Sequence, residues 1–221
     1  MGALADLDRP MTPAIDTREK LMDSARRLYA ERGVVNVSLA EVVRAAGQRN
    51  TSAIQYHFGN REQLLHAIME PHVHTLRARR DELLAKARAA PGPETVVEAL
   101  VRPLAELARE GWRARAWMTI GLELADHGDR LAPDLESLLF RAGGGEVLSL
   151  LAERCPPLPL ALWDLRTNIC IGFAARAATE RARIIDDRPR RARGMLDDEA
   201  FVTNLVDMFL GALTAPVPPG T

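Results

Sequence analysis

Hydrogen-bonding side chains are concentrated between residues 49 and 57, where the chain reads RNTSAIQYH. Base edges in the major groove of DNA differ in their donors and acceptors, and Arg, Asn and Gln can each pair with them at two points. The apolar positions here are too sparse for a core helix, so the segment indicates a short helix that reads DNA. Its candidates for base or nearby contacts, among which the sequence does not choose, are Arg49, Asn50, Thr51, Ser52 and Gln55.

A second short helix and a tight turn are predicted immediately before this segment. Ser38 and Glu41 have the spacing of a capping box, so a helix should begin at Leu39. Gly47 then ends it, since glycine is common just past the last helical residue. One face of this helix is apolar through Leu39, Val42, Val43 and Ala46. Residues 38–58 are therefore predicted to form a helix-turn-helix.

Phosphate contacts are expected from the ends of these helices rather than from their middles. Helix starts and cationic side chains bind phosphate, which positions a protein on DNA without reading its sequence. The candidates are Thr17, Ser38, Tyr56, His57 and Arg61. For Tyr56 the alternative is ordinary packing, and for the whole segment the alternative is a helical hairpin with only a structural role.

The charge of the chain is segregated. Residues 16–61 hold eight basic and five acidic side chains, whereas the whole chain has a net charge of −1, so the remainder is net −4. A positive segment in an otherwise acidic chain favours the nucleic-acid reading of that segment.

Apolar residues recur at helical spacing along most of the remaining chain, and no stretch has the alternation of a sheet. Pro71 is predicted to bend the long helix 60–90, and residues 143–145, all glycine, to interrupt helix 134–153. Helix 112–126 is apolar over a wide arc and is predicted to be central. The predicted helices, about nine, cover residues 16–32, 39–46, 51–57, 60–90, 94–110, 112–126, 134–153, 160–185 and 197–213.

The sequence thus predicts an all-α protein with four parts. Residues 1–15 form a flexible arm and residues 215–221 a flexible tail. Residues 16–60, which we call the head, form a three-helix, helix-turn-helix DNA-binding domain. Residues 61–214, which we call the body, form a large helical domain.

Several functional classes have no support in the sequence. The two cysteines have neither metal-binding nor disulfide-framework spacing, which favours a reducing compartment. His66, His72 and His74 are close in sequence, but no thiol or carboxylate pattern completes a metal site, so polar lining or surface is the better interpretation. No catalytic constellation or cofactor fingerprint is present. We therefore expect no enzyme activity, no metal and no cofactor, and a cytoplasmic protein without a membrane span.

The head resembles the TetR family of bacterial transcriptional regulators over residues 16–69. One more residue than is common in the family lies near Gln48 and Arg49, and Gln55 stands where the family most often has tyrosine. The residues that carry the resemblance are Thr17, Arg18, Ala25, Leu28, Tyr29, Glu31, Arg32, Gly33, Val34, Ser38, Val42, Ala46, Gly47, Tyr56, His57, Phe58, Arg61 and Leu64.

The resemblance implies that the body binds an effector and dimerises through its last two helices. The apolar composition of those helices agrees, since each has more than one apolar face. The expected interface residues are Ile169, Phe173, Phe201, Leu205, Met208 and Phe209. The resemblance also implies an effector cavity, for which the candidates are His72, Trp117, Met118, Phe140 and Phe173. Ordinary core packing is the alternative for each of these.

The function expected from the sequence is therefore that of a dimeric regulator that binds a palindromic operator in double-stranded DNA. By resemblance it is a repressor that a small apolar or aromatic effector releases. The alternative is an all-helical small-molecule-binding protein or enzyme whose head does not read DNA.

Overall fold

The computed structural model describes residues 13–50, 52–126, 133, 135, 137, 138, 144–188 and 192–217. Nine helices and no strands occur in these ranges, which confirms the all-α prediction. Residues 133, 135, 137 and 138 are also helical. The helices are α1 Pro13–Arg32, α2 Leu39–Ala45, α3 Ser52–His57, α4 Arg61–Ala89, α5 Glu94–Arg109, α6 Trp112–Asp126, α7 Gly145–Arg154, α8 Leu160–Asp187 and α9 Asp198–Thr214.

The head is built as its capping signals predict. The Ser38 hydroxyl accepts a hydrogen bond from the Glu41 backbone N–H at 3.2 Å, and the Glu41 carboxylate accepts one from the Ser38 N–H at 2.8 Å. Gly47 follows α2 with φ +72°, a conformation that glycine adopts without strain. Helix α1 begins earlier than predicted, at Pro13, because proline is tolerated in the first turn, where its missing N–H has no helical partner.

Helix α4 connects the head to the body. Asn60 caps its start by accepting a hydrogen bond from the Gln63 N–H at 2.8 Å. The helix then continues for 29 residues, passing Pro71 without interruption, as the predicted 60–90 element required. At 1.5 Å per residue it is about 44 Å long. It therefore contributes side chains to both ends of the molecule.

Two apolar cores lie along this helix. The first contains α1, α2, α3, the first half of α4, the end of α5, α6 and part of α8, and so joins the head to the body. The second contains the end of α4 together with α5, α7, α8 and α9. Helix α5 packs against α4, α6, α7, α8 and α9 and is the central helix. Helix α6, which was predicted to be central, is largely buried and packs against α1 of the head and against α4, α5 and α8 of the body.

The body is interrupted at Gly144, within the predicted residues 143–145, and again at residues 155–159. Gly144 has φ +75° and α7 begins directly after it, although residues 139–143 lie outside the described ranges. Residues 155–159 are non-helical, as their prolines require. Cys155 and Cys170 are both buried and unpaired with each other.

The predicted interface residues on α8 and α9 differ in their exposure to solvent. Ile169, Phe173 and Met208 are exposed large apolar side chains. Leu205 and Phe209 are instead buried in the second core, which corrects their assignment to a surface. Periodicity identified two apolar faces on α9, and only the packing against α5 decided which face turns inward. Phe201 is partly buried beneath the Arg181 guanidinium, 4.8 Å from its ring centroid.

None of the helices in the described ranges is both long and apolar enough to cross a membrane.

Candidate nucleic-acid interface

Helix α3 presents its polar side chains to solvent. Ile54 is buried against the rest of the head and anchors the helix. Ser52 and Gln55 are exposed, and Tyr56 has 83% of its surface accessible. A short helix held by one buried side chain, with hydrogen-bonding groups on its outer face, has the form needed to enter a DNA major groove.

An open depression of about 710 Å³ brings most of the predicted DNA-contacting residues together. Thr51 lies outside the described residues, and Gln55 is exposed nearby on α3. The depression is lined by Thr17, Gly47, Gln48, Arg49, Asn50, Ser52, Ala53, Tyr56 and His57. The start of α1, the turn and α3 therefore share one surface, as the assignment of Thr17 anticipated.

Gln48 is the lining residue that our sequence reasoning missed. The sequence places it at the extra residue of the turn, but an amide side chain beside Arg49 is itself suited to base contacts. The Gln48 N–H donates to the Val43 carbonyl at 3.0 Å, which holds this residue at the end of α2. Its position next to the turn is the feature of the sequence that identifies it as a candidate for DNA contact.

Asn50 has a structural task at this surface. Its Oδ1 accepts a hydrogen bond from the Ser52 N–H at 3.0 Å, which orders the entry into α3. This bond uses one of the two lone pairs of the amide oxygen, and the amide NH₂ is available as a donor at the surface. Arg49, beside it, is exposed.

The Ser38 hydroxyl is engaged within the head. Besides accepting from the Glu41 N–H, it donates to the Glu41 carboxylate at 2.8 Å. Hydrogen bonds from the backbone and side chain of Ser38 and from Arg32 lower the Glu41 pKa to about 2. The carboxylate is therefore ionised and holds Ser38 at the start of α2, so a phosphate contact by its hydroxyl would compete with the capping box.

Arg61 does not have the phosphate-facing position that we predicted. Its Nη1 donates to the Val34 carbonyl at 2.7 Å and its Nη2 to the Val37 carbonyl at 2.6 Å. Both carbonyls belong to the connector between α1 and α2, which runs alongside the start of α4. The side chain is half-buried and ties this connector to α4, so its role in the structure is to stabilise the head.

Ion pairs and a backbone contact fasten the head to α6. Asp23 on α1 receives hydrogen bonds from Arg113 on α6. The Glu123 carboxylate accepts from the Val34 N–H, at 2.8 and 3.0 Å from its two oxygens. These contacts, with the shared core, attach the head to the body by a second route. The sequence had indicated only α4 as the connection.

A cavity of about 500 Å³ lies at the same junction. Its walls come from the end of α1, the outer side of α6 and the middle of α8. The lining residues are Tyr29, Ala30, Gly33, Thr119, Leu122, Glu123, Arg176, Thr179 and Glu180. None of the four described residues predicted for an effector cavity, His72, Trp117, Met118 and Phe173, is among them.

The predicted effector residues occupy different environments. Trp117 and Met118 are buried in the first core, where the Trp117 indole N–H donates to the Met69 carbonyl at 2.7 Å. His72 is half-buried with its ring 5.9 Å from the Trp117 ring. Phe173 is exposed, and Phe140 lies outside the described residues. These placements match the core-packing alternative for Trp117 and Met118.

The histidines considered for a metal site do not share a contacting carboxylate. His66 is 4.0 Å from the Glu70 carboxylate, whereas His72 is 3.8 Å from that of Glu110. His74 is exposed. Within the described ranges, no three His, Cys, Asp or Glu side chains are grouped to hold a metal ion.

Known sequences resemble part of the chain. The family model of bacterial regulatory proteins of the TetR family matches residues 21–68. The HTH-type transcriptional regulator BetI of Rhizobium meliloti is 36% identical over 85 residues, which are 38% of this chain and 40% of BetI. The HTH-type transcriptional regulator TtgR of Pseudomonas putida is 33% identical over 78 residues, 34% of this chain and 37% of TtgR. The matched segment thus spans about two fifths of the length of these relatives.

Solved structures resemble the chain over most of its length. The probable transcriptional regulatory protein RHA5900 aligns with a TM-score of 0.57 and 20% identity, over 90% of this chain and 100% of that one. The ketosteroid transcriptional regulator KstR2 of Mycobacterium tuberculosis aligns with a TM-score of 0.55 and 19% identity, over 90% of this chain and 95% of KstR2. At these identities the likeness concerns the fold. Residues 21–68 thus have the sequence pattern of the TetR family of bacterial regulatory proteins, and the fold of the chain is similar to that of solved regulators.

Proposed function

We propose that the protein is a DNA-binding transcriptional regulator that acts as a dimer on a palindromic operator. The observation that carries this proposal is the polar surface of α3 and its turn, where Arg49, Asn50, Ser52 and Tyr56 line one open depression. These side chains offer donors and acceptors that suit base edges and phosphates. The match of residues 21–68 to a family of regulatory proteins supports the same function.

The proposed dimer forms through the outer faces of α8 and α9. Leu165, Ile169 and Phe173 are exposed at four-residue intervals on α8, so they lie along one side of that helix. Met208 is exposed on the neighbouring α9. A contiguous apolar surface of this kind favours association with a second copy. In a twofold dimer, the two α3 helices would enter successive major grooves about 34–36 Å apart.

The proposed control is repression that a small molecule relieves. The head contacts α6 through Asp23 and Val34 and is continuous with α4, so a ligand that displaces either helix would move α3. Such a ligand binds most tightly to the form that does not fit the operator, and operator DNA weakens its binding in return. Both α3 helices must enter their major grooves at once. A modest tilt of the heads is therefore sufficient to release the operator.

The decisive experiment selects duplexes bound by the full-length protein from a random pool. We expect enrichment of two inverted half-sites with centres about one helical turn apart. Binding to the selected duplex should weaken steeply as salt increases, because phosphate contacts release counterions. No enriched sequence together with a flat salt dependence would contradict the proposal.

A pair of variants locates the DNA-binding surface. Asn50→Ala removes a donor from the depression, whereas Arg183→Ala removes an exposed cation on α8 that pairs with Glu180. The first should lose affinity and sequence preference for the selected duplex, and the second should behave as the unmodified protein. Equal losses in both would place the DNA-binding surface elsewhere.

A further inference from the structure

Arg80 is a buried cation whose guanidinium is incompletely satisfied by the residues that the structure describes around it. It lies on α4 with only 5% of its surface accessible. Its Nε and Nη1 are shielded from solvent and make no hydrogen bond, and no described carboxylate forms an ion pair with it. Burial lowers the Arg80 pKa to about 10, which leaves the guanidinium protonated at neutral pH. A buried charge without a partner destabilises a protein, so this site is incomplete as it stands.

A cavity of about 230 Å³ borders this guanidinium. Its opposite wall is the start of α7, formed by residues 144–147. Gly144, the residue that precedes α7, has no side chain to cap the helix, so the first backbone N–H groups of α7 lack a side-chain acceptor. The N-terminus of a ten-residue helix also carries partial positive charge. Two independent groups that favour an anion therefore border one cavity.

The two carboxylates at the cavity are already paired. Asp81 is 3.8 Å from Arg77, and Glu146 forms an ion pair with Arg88. Asp81 is near enough to raise the Arg80 pKa, but its effect is smaller than that of burial. Arg80 is thus the cation in the described part of this site that still lacks an anionic partner.

Gly144 brings the start of α7 close to Arg80. A Cβ atom at this position would lie 3.3 Å from Cδ and Nε of Arg80 and 3.2 Å from Leu100. Its φ of +75° also disfavours other residues. A larger residue would push the helix start away from the guanidinium, so glycine permits both groups to reach the same ligand.

We propose that this cavity binds the carboxylate of a small organic acid, and that this acid is the effector of the regulator proposed above. A guanidinium and a carboxylate match in geometry and form strong two-point hydrogen bonds. Leu84 and Val147 supply apolar walls for a short hydrocarbon part of the ligand. The proposal refines the apolar or aromatic effector predicted from the sequence by adding an acid group, and its effector role rests on the proposed function.

The test measures the melting temperature of the full-length protein with propionate and benzoate, with their uncharged amides, and with inorganic phosphate. We expect the carboxylates to stabilise the protein, by roughly 5–10 °C at about 100 times their Kd, and the amides and phosphate to have little effect. Arg80→Met should abolish this response. Without any probe, it should unfold at the same or a higher temperature, because it replaces an unpartnered charge by an apolar side chain. Arg183→Met, on the surface of α8, should respond as the unmodified protein.

Four results would each overturn the carboxylate site. They are no stabilisation by either carboxylate, equal stabilisation by the amides, stronger stabilisation by phosphate, and an undiminished response of Arg80→Met. A probe-free Arg80→Met protein that melts at a lower temperature would also overturn it, since Arg80 would then already have a stabilising partner.

A mobility-shift titration on the selected duplex separates this site from the proposed function. Release of DNA by a stabilising carboxylate supports the effector role, and unchanged DNA affinity overturns that role. A protein that is stabilised by carboxylates but binds no duplex would retain this site and lose the proposed function. If the protein binds the duplex but the carboxylates do not stabilise it, only the proposed carboxylate site at Arg80 is overturned.

Discussion

Asp23 on α1 and Arg113 on α6 form a two-point ion pair across the boundary between the head and the body. Nη2 of Arg113 is 2.6 Å from Oδ2 of Asp23, and its Nε is 2.9 Å from Oδ1. Arg26, whose side chain is only 8% exposed, donates to the same Oδ1 at 2.8 Å. The carboxylate therefore pairs with a buried cation of the head and with a cation of the body at the same time.

Asp23→Asn should destabilise the folded protein. The substitution keeps the shape but removes the charge that Arg26 and Arg113 share, so we expect a loss of about 1–3 kcal/mol of unfolding free energy. Urea denaturation monitored by circular dichroism measures it. Arg183→Ala, which breaks an exposed pair with Glu180, is the control and should change stability by less than about 0.5 kcal/mol. Similar losses for both variants would contradict the role assigned to Asp23.

The stability of the protein should fall in mild acid because of His72. Burial lowers the His72 pKa below 6.5, and Arg26 lowers it further, whereas Glu110 partly opposes both. The unfolded chain therefore binds a proton at this histidine at a higher pH than the folded chain does. The stabilising contribution is complete above about pH 6.5 and is lost as the pH falls through the folded pKa.

Urea denaturation at several pH values between 7.5 and 5 measures this loss. As the pH falls through this range, the unfolding free energy of His72→Gln should decrease less than that of the unmodified protein. His74→Gln, at an exposed position on the same helix, should retain the full pH dependence. The interpretation fails if His72→Gln has an unchanged pH dependence.

Arg49 should contribute to DNA affinity, whereas Arg61 should contribute to the stability of the fold. Arg49→Ala removes an exposed cation from the proposed DNA surface, so we expect affinity for the selected duplex to fall by about 1–3 kcal/mol with little change in melting temperature. Arg61→Ala leaves the Val34 and Val37 carbonyls without their donor and should reduce unfolding free energy by about 1–3 kcal/mol. The folded Arg61→Ala protein should keep its salt dependence of DNA binding. A salt slope reduced by about one in this variant would restore the phosphate role for Arg61.

Dimerisation should depend on the exposed face of α8 and not on the buried face of α9. Phe173 is 46% exposed, so Phe173→Glu should give folded monomers in sedimentation equilibrium. Phe209 is 2% exposed in the second core, and Phe209→Ala should lose about 3–5 kcal/mol of unfolding free energy. Val35→Glu, at an exposed apolar position in the head, is the control and should leave the dimer intact. A Phe173→Glu protein that remains dimeric would refute the assigned surface.

Local sequence signals predicted where helices begin and end better than they predicted which helices pack together. The capping residues Ser38 and Asn60 and the interruption at Gly144 act within one turn of the chain, so their effects are visible in the sequence. The inward face of α9 depends on α5, which is about 100 residues away. Periodicity can therefore place Phe209 on an apolar face but cannot say what covers it.

The sequence by itself determined the all-α class, the helix-turn-helix and the polar surface of α3, because these follow from short-range spacing and side-chain chemistry. Only the tertiary structure decided that Arg61 binds backbone carbonyls, that Asp23 pairs with Arg113, and that Arg80 borders a cavity and has no ion pair with a described carboxylate. A charged side chain can meet solvent, DNA, a backbone carbonyl or a distant carboxylate. Which of these it meets depends on how helices far apart in the sequence pack together.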